Sequence, residues 1–398
     1  MSRSFRIFWA GQTVKDLGGN FVLVALPFQV YLLTGSTLLV GMLAFVELVP
    51  LLTLTLVGGA LADAVDRRRL LIWTQLGMAA VGIGLVLNSA RDRPSVTACF
   101  VLAFFAASFF CLGVGGMRSI TPRLLPEDKV SAAMVLESVS GSFTSVAGPA
   151  LAGITIKLVG LTAAYAIDLG TFAIGIASIL ALPAIAPVPD AGRPSLRSIV
   201  EGFRYVRSQP VIFGFMIVDV NAMVFGMPMA LFPAIATHRY GDPTLVGYLY
   251  AAPYGGALAS SLASGWIPHV RRQGLAVAVA AIGWGVAIAA FGFASSLWLG
   301  LVLLAVAGAA DNISAVFRST IMLTATPEAM RGRLTGIEFA QVASGPTLGN
   351  MEAGVVASLT SLRFSIVSGG FMCVLGTIAT CLAFPALVRY DAKRDKLT

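Results

Sequence analysis

The sequence predicts an all-α membrane protein whose twelve transmembrane helices form two six-helix bundles. Of its 398 residues, 57% are hydrophobic and 12% are charged. The mean hydropathy of +0.86 lies far from that of soluble globular proteins. The apolar residues are grouped into about twelve runs near the length of roughly 20 residues that a bilayer crossing needs. Residues of the first half also return in the second half, as in transporters built from two matched halves.

Six apolar runs make up the first half of the chain. They are predicted to span the membrane near residues 7–33, 37–61, 70–89, 96–117, 131–156 and 161–183. Arg3 and Arg6 precede the first run, as in a signal peptide. No small-residue cleavage site closes that run, so an uncleaved first span is predicted. The N-terminal bundle is therefore predicted over residues 1–183.

Residues 184–210 form the one long polar break. Prolines open it, and Ser195 is predicted to cap a short amphipathic helix. The apolar face of that helix is predicted to hold Leu196, Ile199, Val200, Phe203 and Val206. A helix on the cytoplasmic membrane surface is favoured over a calmodulin-like target or a solvated spacer.

The second half repeats the first. Its spans are predicted near residues 211–235, 243–267, 274–294, 297–317, 334–359 and 364–388, within a C-terminal bundle over residues 211–398. Arg118 and Glu137 of the first half correspond to Arg318 and Glu338 of the second. Further repeated positions are Pro126, Glu127, Gly148 and Gly153, which return as Pro327, Glu328, Gly349 and Gly354.

The distribution of positive charge predicts the orientation. With both termini placed in the cytoplasm, 21 of the 27 lysines and arginines fall on the inner side and five on the outer side. This bias is the positive-inside rule. The formal net charge of +8 is thereby explained by topology, and no nucleic-acid partner is predicted.

Signatures of enzymes and cofactors are missing from the sequence. There is no phosphate-binding loop, so ATP is not expected to drive the protein directly. The two histidines are predicted at opposite membrane faces, and the four cysteines are expected to be buried free thiols. No enzymatic activity, metal or cofactor is predicted.

A glycine-rich segment between spans 2 and 3 predicts a cytoplasmic gate. Gly58 and Gly59 would let two helix ends approach closely. Asp63 could accept hydrogen bonds from a neighbouring helix N-terminus, while Arg67 and Arg68 hold it in place. The alternative is that the arginines only anchor the topology.

This segment resembles the signature loop of the major facilitator superfamily. Further stretches resemble its enterobactin exporter branch, including ALPF at 25–28, residues 196–210, VGYLYAAP at 246–253 and TPEAMRGRL at 326–334. The resemblance implies a central cavity, alternating access and proton-driven export of a small molecule. It also implies a monomer in membrane lipid at the bacterial inner membrane.

Span 5 carries a stretch that resembles the antiporter motif of this superfamily. The positions concerned are Gly148, Pro149 and Gly153. Proline removes a helix hydrogen bond and glycines permit close packing, so the helix could bend against a partner. A role in packing alone is the alternative. The second copy of the gate has degenerated, because His269 stands where Asp63 stood.

Acidic residues inside spans are costly and therefore mark candidate proton-coupling sites. Asp16 and Glu47 lie about ten residues into their spans, roughly 15 Å at helical rise and near the midplane. Asp219 and Asp311 are the next candidates, and fixed ion pairs are the alternative. Asp168 is expected to be structural. Glu352 is placed toward the outer half.

One departure from the superfamily concerns span 1. Members often carry Gly-Asp before the Ala-Leu-Pro, whereas this chain has Gly18-Gly19. Asp16 with Lys15 could replace the missing acid, or the coupling site could lie elsewhere. Adjacent helix residues diverge by about 100°, so Lys15 and Asp16 are not expected to face one point, and Lys15 could snorkel or pair elsewhere.

Together these patterns predict a proton-coupled exporter of a siderophore-like or amphipathic compound. An aromatic wall in spans 4 and 8 would suit an amphipathic or catechol-bearing cargo. The residues concerned are Phe104, Phe105, Phe109 and Phe110 in span 4 and Tyr248, Tyr250 and Tyr254 in span 8. Phenylalanines that face lipid or only pack against other helices are the favoured alternative. A multidrug or antibiotic efflux pump is the nearest alternative, and a non-transporting receptor or scaffold is a more distant one.

Overall fold

The structure, a computed structural model, describes residues 2–118, 120–183 and 196–391. Residues 184–195, with the predicted cap Ser195, lie outside the described residues. The same holds for some side chains within helices, namely those of Leu56, Ala60, Ala62, Asp63, Arg118, Pro122, Glu127, residues 196–200 and Ala329.

The described residues are almost entirely helical, as predicted. The α-helices are α1 Arg3–Thr34, α2 Thr37–Ala64, α3 Arg67–Ser89, α4 Val96–Arg118, α5 Thr121–Leu124, α6 Glu127–Leu158, α7 Leu161–Leu180, α8 Leu196–Ser208, α9 Pro210–Phe225, α10 Phe232–His238, α11 Val246–Leu262, α12 Gln273–Phe291, α13 Leu297–Ala325, α14 Glu328–Leu359, α15 Leu362–Ala383 and α16 Pro385–Arg389. Serine side chains cap several of them. Ser36, for example, accepts a hydrogen bond from the Leu39 backbone N–H at 3.3 Å.

Within the described residues, ten helical segments are long and apolar enough to cross a membrane. They correspond to ten of the twelve predicted spans. The two others are α11 and α14. α11 has 17 residues, about 25 Å at helical rise, while α14 carries Glu338 and Glu352 among its apolar residues.

The predicted seventh span is interrupted. A 3₁₀ turn at Met229–Leu231 separates α9 from α10. Backbone groups freed by the break find partners on distant helices. Trp284 Nε1 donates to the Gly226 carbonyl oxygen at 3.0 Å, and the Ala230 N–H donates to Asn350 Oδ1 at 2.9 Å. Such compensation allows irregular backbone inside a bundle.

The chain divides into two compact units. The first comprises residues 1–193 and 243–251, and the second comprises residues 194–242 and 252–398. In the first unit α1 packs against α6 and α7, α2 against α4, and α3 against α4 and α7. In the second unit α12 packs against α13 and α15, and α9 against α14 and α15.

Glycines set the close approach of α1 and α7. A Cβ added at Gly18 would lie 2.8 Å from Thr171 Cβ, and one at Gly11 would clash with Ser178. By contrast, a Cβ at the neighbouring Gly19 would meet nothing within 4 Å. Small residues at a helix contact are how membrane helices gain packing contacts.

α8 packs within the second unit. Val206 is 2% exposed in the core of that unit, whereas Phe203 is 55% exposed. Of the predicted apolar face, Val206 is therefore buried in the second unit, whereas Phe203 is exposed. Glu201 pairs with Arg333 of α14 at 3.0 Å, and Gly202 packs close to Arg333 and Ile337.

Candidate functional site

The gate segment joins α2 to α3. Asp66 caps α3, because its Oδ1 accepts the Arg69 backbone N–H at 3.0 Å. Gly58 allows α2 to approach α4, since a Cβ there would lie 2.8 Å from Leu112 Cα. α2 and α4 are thus close at Gly58, while the role of this glycine in a gate stays a prediction. The side chain of Asp63 lies outside the described part of the chain.

The two gate arginines have different surroundings. Arg68 Nε and Nη2 donate to the carbonyl oxygens of Ile179 and Leu180, at 3.2 and 2.6 Å. These carbonyls end α7, so Arg68 caps that helix and complements its dipole. Arg67 is only 4% exposed. The role of either arginine in holding Asp63 remains a prediction.

A cavity of about 290 Å³ lies inside the first unit. α1, α3, α4, α6 and α7 contribute most of its wall, and the short α5 adds Thr121. The charged residues on the wall are Lys15, Asp16 and Glu137. Its aromatic residues are Phe8, Trp9, Phe109, Phe110 and Phe172. A concave pocket that combines aromatic with polar side chains can bind a small molecule.

Hydrogen bonds tie the polar side chains of this wall together. Gln75 Nε2 donates to Gln12 Oε1 at 3.0 Å, and Trp9 Nε1 donates to Ser140 Oγ at 3.1 Å. The Thr121 hydroxyl makes a very short hydrogen bond to the Glu137 carboxylate. The helices are thus connected around the cavity by side chains that also face it.

Asp16 is on the cavity wall, and its side chain is 52% exposed. Its Oδ1 lies 2.7 Å from Lys15 Nζ. The expectation that these neighbours could not pair is therefore wrong. The flexible four-carbon stem of lysine bends back across the 100° between the two positions.

Glu47, the other acid predicted near the midplane, lies away from this cavity. It is half-buried on α2 and is not among the residues that line the cavity.

Of the four predicted phenylalanines, Phe109 and Phe110 face the cavity, whereas Phe104 and Phe105 stack edge to face on each other. Two of the four phenylalanines thus face a cavity, and the other two pack against each other.

The second unit holds a buried ion pair. Asp219 of α9 is 2% exposed, and its Oδ1 lies 2.7 Å from Arg318 Nη1 of α13. Oδ1 has no aligned hydrogen-bond donor, so charge holds this contact. Gln341 Nε2 of α14 donates to the other oxygen, Asp219 Oδ2, at 2.7 Å. One carboxylate therefore ties three helices together.

Two further acids of the second unit lie inside predicted spans. They are Asp311 on α13 and Glu338 on α14, and both are half-buried. The sequence repeat had singled out Arg318 and Glu338 but gave no sign that Arg318 pairs with Asp219. Ninety-nine residues separate the partners, and local spacing carries no signal for such a contact.

The predicted antiporter motif lies where α6 meets two neighbours. A Cβ at Gly148 would lie 3.1 Å from Asn20 Cγ of α1. One at Gly153 would lie 3.0 Å from Gly247 Cα, within the segment 243–251 that belongs to the first unit. Pro149 lies inside α6, and its carbonyl oxygen faces Gly247. These contacts agree with close packing.

The sequence is similar to a family of known proteins along its full length. The family described as transmembrane secretion effector matches residues 1–395. The enterobactin exporter EntS of Citrobacter koseri is 30% identical over 382 residues, which cover 95% of this chain and 91% of the relative. EntS of Escherichia coli is 29% identical over 378 residues, 94% of this chain and 90% of the relative.

Solved transporter structures share the fold. The nucleoside transporter NupG superimposes with a TM-score of 0.76 at 13% identity, covering 98% of this chain and 100% of the other. A bacterial homologue of the iron transporter ferroportin, in an inward-facing state, gives a TM-score of 0.72 at 15% identity, covering 98% and 100%. At these identities the likeness concerns the fold alone.

Proposed function

Because the chain belongs to the transmembrane secretion effector family of the major facilitator superfamily, we propose that it exports a small molecule by proton-driven alternating access. The family assignment makes it a transporter and a multi-pass protein of the bacterial inner membrane, and confirms that it is not an enzyme. Ten apolar helices agree with that location.

The proposed topology has twelve membrane helices in two bundles, at residues 1–183 and 211–398, joined by a linker at 184–210. Both termini are in the cytoplasm, which the positive-inside bias supports. α11 and α14 supply the two spans beyond the ten apolar ones. Polar residues on α14 then face the bundle interior, as intramembrane charges generally do. The protein works as a monomer in lipid.

The proposed cargo is a siderophore-like or amphipathic compound that leaves the cytoplasm. The names of the enterobactin exporters support a siderophore. The mixed aromatic and polar wall of the cavity supports an amphipathic molecule. Efflux of drugs or antibiotics is the second proposal, because the same wall suits them. Membership of a transporter family disfavours a receptor or scaffold.

The observation that carries the coupling proposal is the position of Asp16. It is an acid on the cavity wall, half-exposed and paired with a lysine, in a helix that crosses an apolar bundle. A carboxylate there meets cargo and water directly. We therefore propose that this carboxylate takes up and releases the transported proton.

The remaining acids are less well placed for this task. Asp219 is held by Arg318 and Gln341, which is the geometry of a fixed ion pair. Glu47 lies away from the cavity wall. Glu47, Asp219 and Asp311 therefore rank after Asp16 as proton-coupling residues. Asp63 and the motif at Gly148, Pro149 and Gly153 are proposed to control opening and closing of the pathway.

A cell assay tests this function. The chain is produced in an Escherichia coli strain that lacks its enterobactin exporter and its main drug efflux, and two cargos are followed. One is enterobactin released into the medium, and the other is ethidium lost from preloaded cells. Wild-type protein is expected to export one of them, and a protonophore is expected to stop it.

The matched variants are Asp16→Asn on the cavity wall and Asp92→Asn in the exposed loop after α3. Asp16→Asn is expected to reach the membrane but lose protonophore-sensitive export, whereas Asp92→Asn exports normally. Full export by Asp16→Asn would move the coupling site to Glu47, Asp219 or Asp311. Export that continues in the presence of the protonophore would contradict the proposal that protons drive it.

A further inference from the structure

Five exposed arginines of the second unit are used neither by the fold nor by the transport scheme above. They are Arg204 and Arg207 of α8, Arg271 and Arg272 before α12, and Arg389 of α16. Among the described residues, none of them forms an ion pair. A group of exposed like charges without counter-charges attracts an anionic partner.

The segments that carry these arginines meet at one end of the second unit. Val206 of α8 and Leu387 of α16 belong to the same core cluster. A Cβ added at Gly274, at the start of α12, would lie 3.2 Å from Leu387 Cδ1, and one at Gly214 of α9 would lie 3.4 Å from Leu387 Cβ. The five arginines therefore belong to one end of the unit, which we call the basic surface.

The basic surface lies where apolar helices begin and end. α8 ends at Ser208, and the apolar segment Pro210–His238 begins two residues later. The apolar segment Gln273–Phe291 begins directly after Arg272, and Leu362–Ala383 ends shortly before α16. Long basic side chains at the ends of membrane helices reach the level of the lipid headgroups.

The carboxylates at this end do not balance the arginines. Glu201 is bound to Arg333 at 3.0 Å. Asp391 is half-buried and has a contact of its own. Glu328 is exposed at the start of α14. One exposed carboxylate and five exposed arginines leave a positive excess that complements an anionic headgroup.

The exposed face of α8 adds an apolar contact to this charge. Val206 is buried, whereas Phe203 is 55% exposed. At about 100° per residue, Arg207 lies about 40° from Phe203 around the helix and Arg204 about 100° from it. One face thus offers an aromatic ring together with two guanidinium groups, which is the pattern of a helix that lies on an anionic membrane.

We propose that the basic surface binds an anionic phospholipid of the surrounding membrane, with Arg204 and Arg207 on the headgroup phosphate and Phe203 against the acyl chains. Guanidinium groups bind phosphate oxygens through charge-assisted hydrogen bonds. An acidic protein could meet the same arginines, but Phe203 and the adjacent apolar segments favour a lipid. The proposal goes beyond export and does not depend on the cargo.

The test is direct lipid binding to the purified full-length protein in detergent. Native mass spectrometry follows binding of phosphatidylglycerol, and phosphatidylcholine with the same acyl chains is the matched control lipid. We expect phosphatidylglycerol to bind more tightly, because the choline ammonium is repelled by the arginines. Poly-glutamate is added as a soluble acidic competitor and is expected not to displace the lipid.

Two double variants separate the basic surface from net charge. Arg204→Gln with Arg207→Gln is expected to weaken phosphatidylglycerol binding by roughly 30-fold, since each arginine near an anionic membrane contributes a factor of about five. Arg91→Gln with Arg93→Gln, in the exposed loop after α3, makes the same change of charge and is expected to bind as wild type.

A third variant tests the apolar contact. Phe203→Ser is expected to weaken binding of both lipids, because their acyl chains are the same. Phe203 is exposed, as are both arginines of the double variant, so these proteins are expected to fold.

Three results would overturn the inference. They are equal binding of the two lipids by wild type, wild-type binding of phosphatidylglycerol by the Arg204, Arg207 double variant, and an equal loss in the Arg91, Arg93 double variant. Displacement of the lipid by poly-glutamate would also overturn it and assign the surface to a soluble acidic partner. Lipid binding is measured without cargo, so each of these results leaves the proposed export to be judged by the cell assay.

Discussion

Two pairs of oppositely charged side chains lie inside predicted spans of this apolar chain. Asp219 and Arg318 form a pair of which both members are nearly inaccessible. Lys15 and Asp16 pair on a cavity wall. Charge in such surroundings is costly, so removing one partner of either pair is expected to affect stability or transport.

Removing the charge of Asp219 is predicted to destabilise the second unit. Asp219→Asn leaves Arg318 buried without its counter-ion, which costs about 3–5 kcal/mol. The double variant Asp219→Asn, Arg318→Met is expected to recover much of that loss, because no charge remains unpaired. Thermal unfolding of purified protein measures both.

The control for this prediction is the exposed pair Glu201–Arg333. Glu201→Gln is expected to change the free energy of unfolding by about 1 kcal/mol or less, as for surface pairs generally. Equal losses from Asp219→Asn and Glu201→Gln would show that the buried pair contributes no more than an exposed one. No recovery in the double variant would point to lost packing.

Whole helices are positioned here by glycine contacts as much as by apolar side chains. α1 approaches α7 at Gly11 and Gly18, and α2 approaches α4 at Gly58. In a bilayer, close backbone packing replaces much of the hydrophobic driving force that soluble proteins use. Neighbouring glycines without such contacts provide matched controls.

Gly18 and Gly19 are predicted to respond oppositely to alanine. A Cβ at Gly18 would lie 2.8 Å from both Thr171 Cβ and Thr171 Cγ2, and overpacking of that kind costs about 1–3 kcal/mol. Gly19 has open space, so Gly19→Ala is expected to be neutral or to gain up to about 1 kcal/mol of helix propensity. Thermal unfolding of the two variants measures both effects. A Gly19→Ala variant less stable than the Gly18→Ala variant would contradict the α1–α7 contact.

The gate segment between α2 and α3 is predicted to matter for transport more than for folding. Asp63→Asn removes the charge of the predicted gate acid. Asp66, the neighbouring acid, caps α3, so Asp66→Asn is a control that keeps the cap. We expect Asp63→Asn to reach the membrane but to lose export in the cell assay. Normal export by Asp63→Asn would refute the gate role.

At the scale of the whole molecule, the length and composition of the apolar runs were sufficient to predict where most of the long helices lie. Ten of the predicted spans correspond to long apolar helices. The break between α9 and α10 was not predicted, because its partners Trp284 and Asn350 are 58 and 120 residues away from the groups they bind. The local sequence around the break gives no sign of these distant hydrogen-bond partners.

The candidate site was also predicted only in part from the sequence. Asp16 was predicted as a candidate acid within span 1, and it lies within α1 on the cavity wall, while its depth in the membrane and its role stay predictions. Its pairing with Lys15 was missed because backbone direction says little about the end of a flexible side chain.

The measurement that tests the central claim most directly is transport into liposomes containing the purified protein. A pH gradient is imposed, and the cargo selected by the cell assay is followed with and without that gradient. The account predicts that wild-type protein concentrates cargo only while the gradient lasts, whereas Asp16→Asn lets it equilibrate at most. Concentration by Asp16→Asn equal to wild type, or wild-type concentration without a gradient, would contradict proton coupling at Asp16.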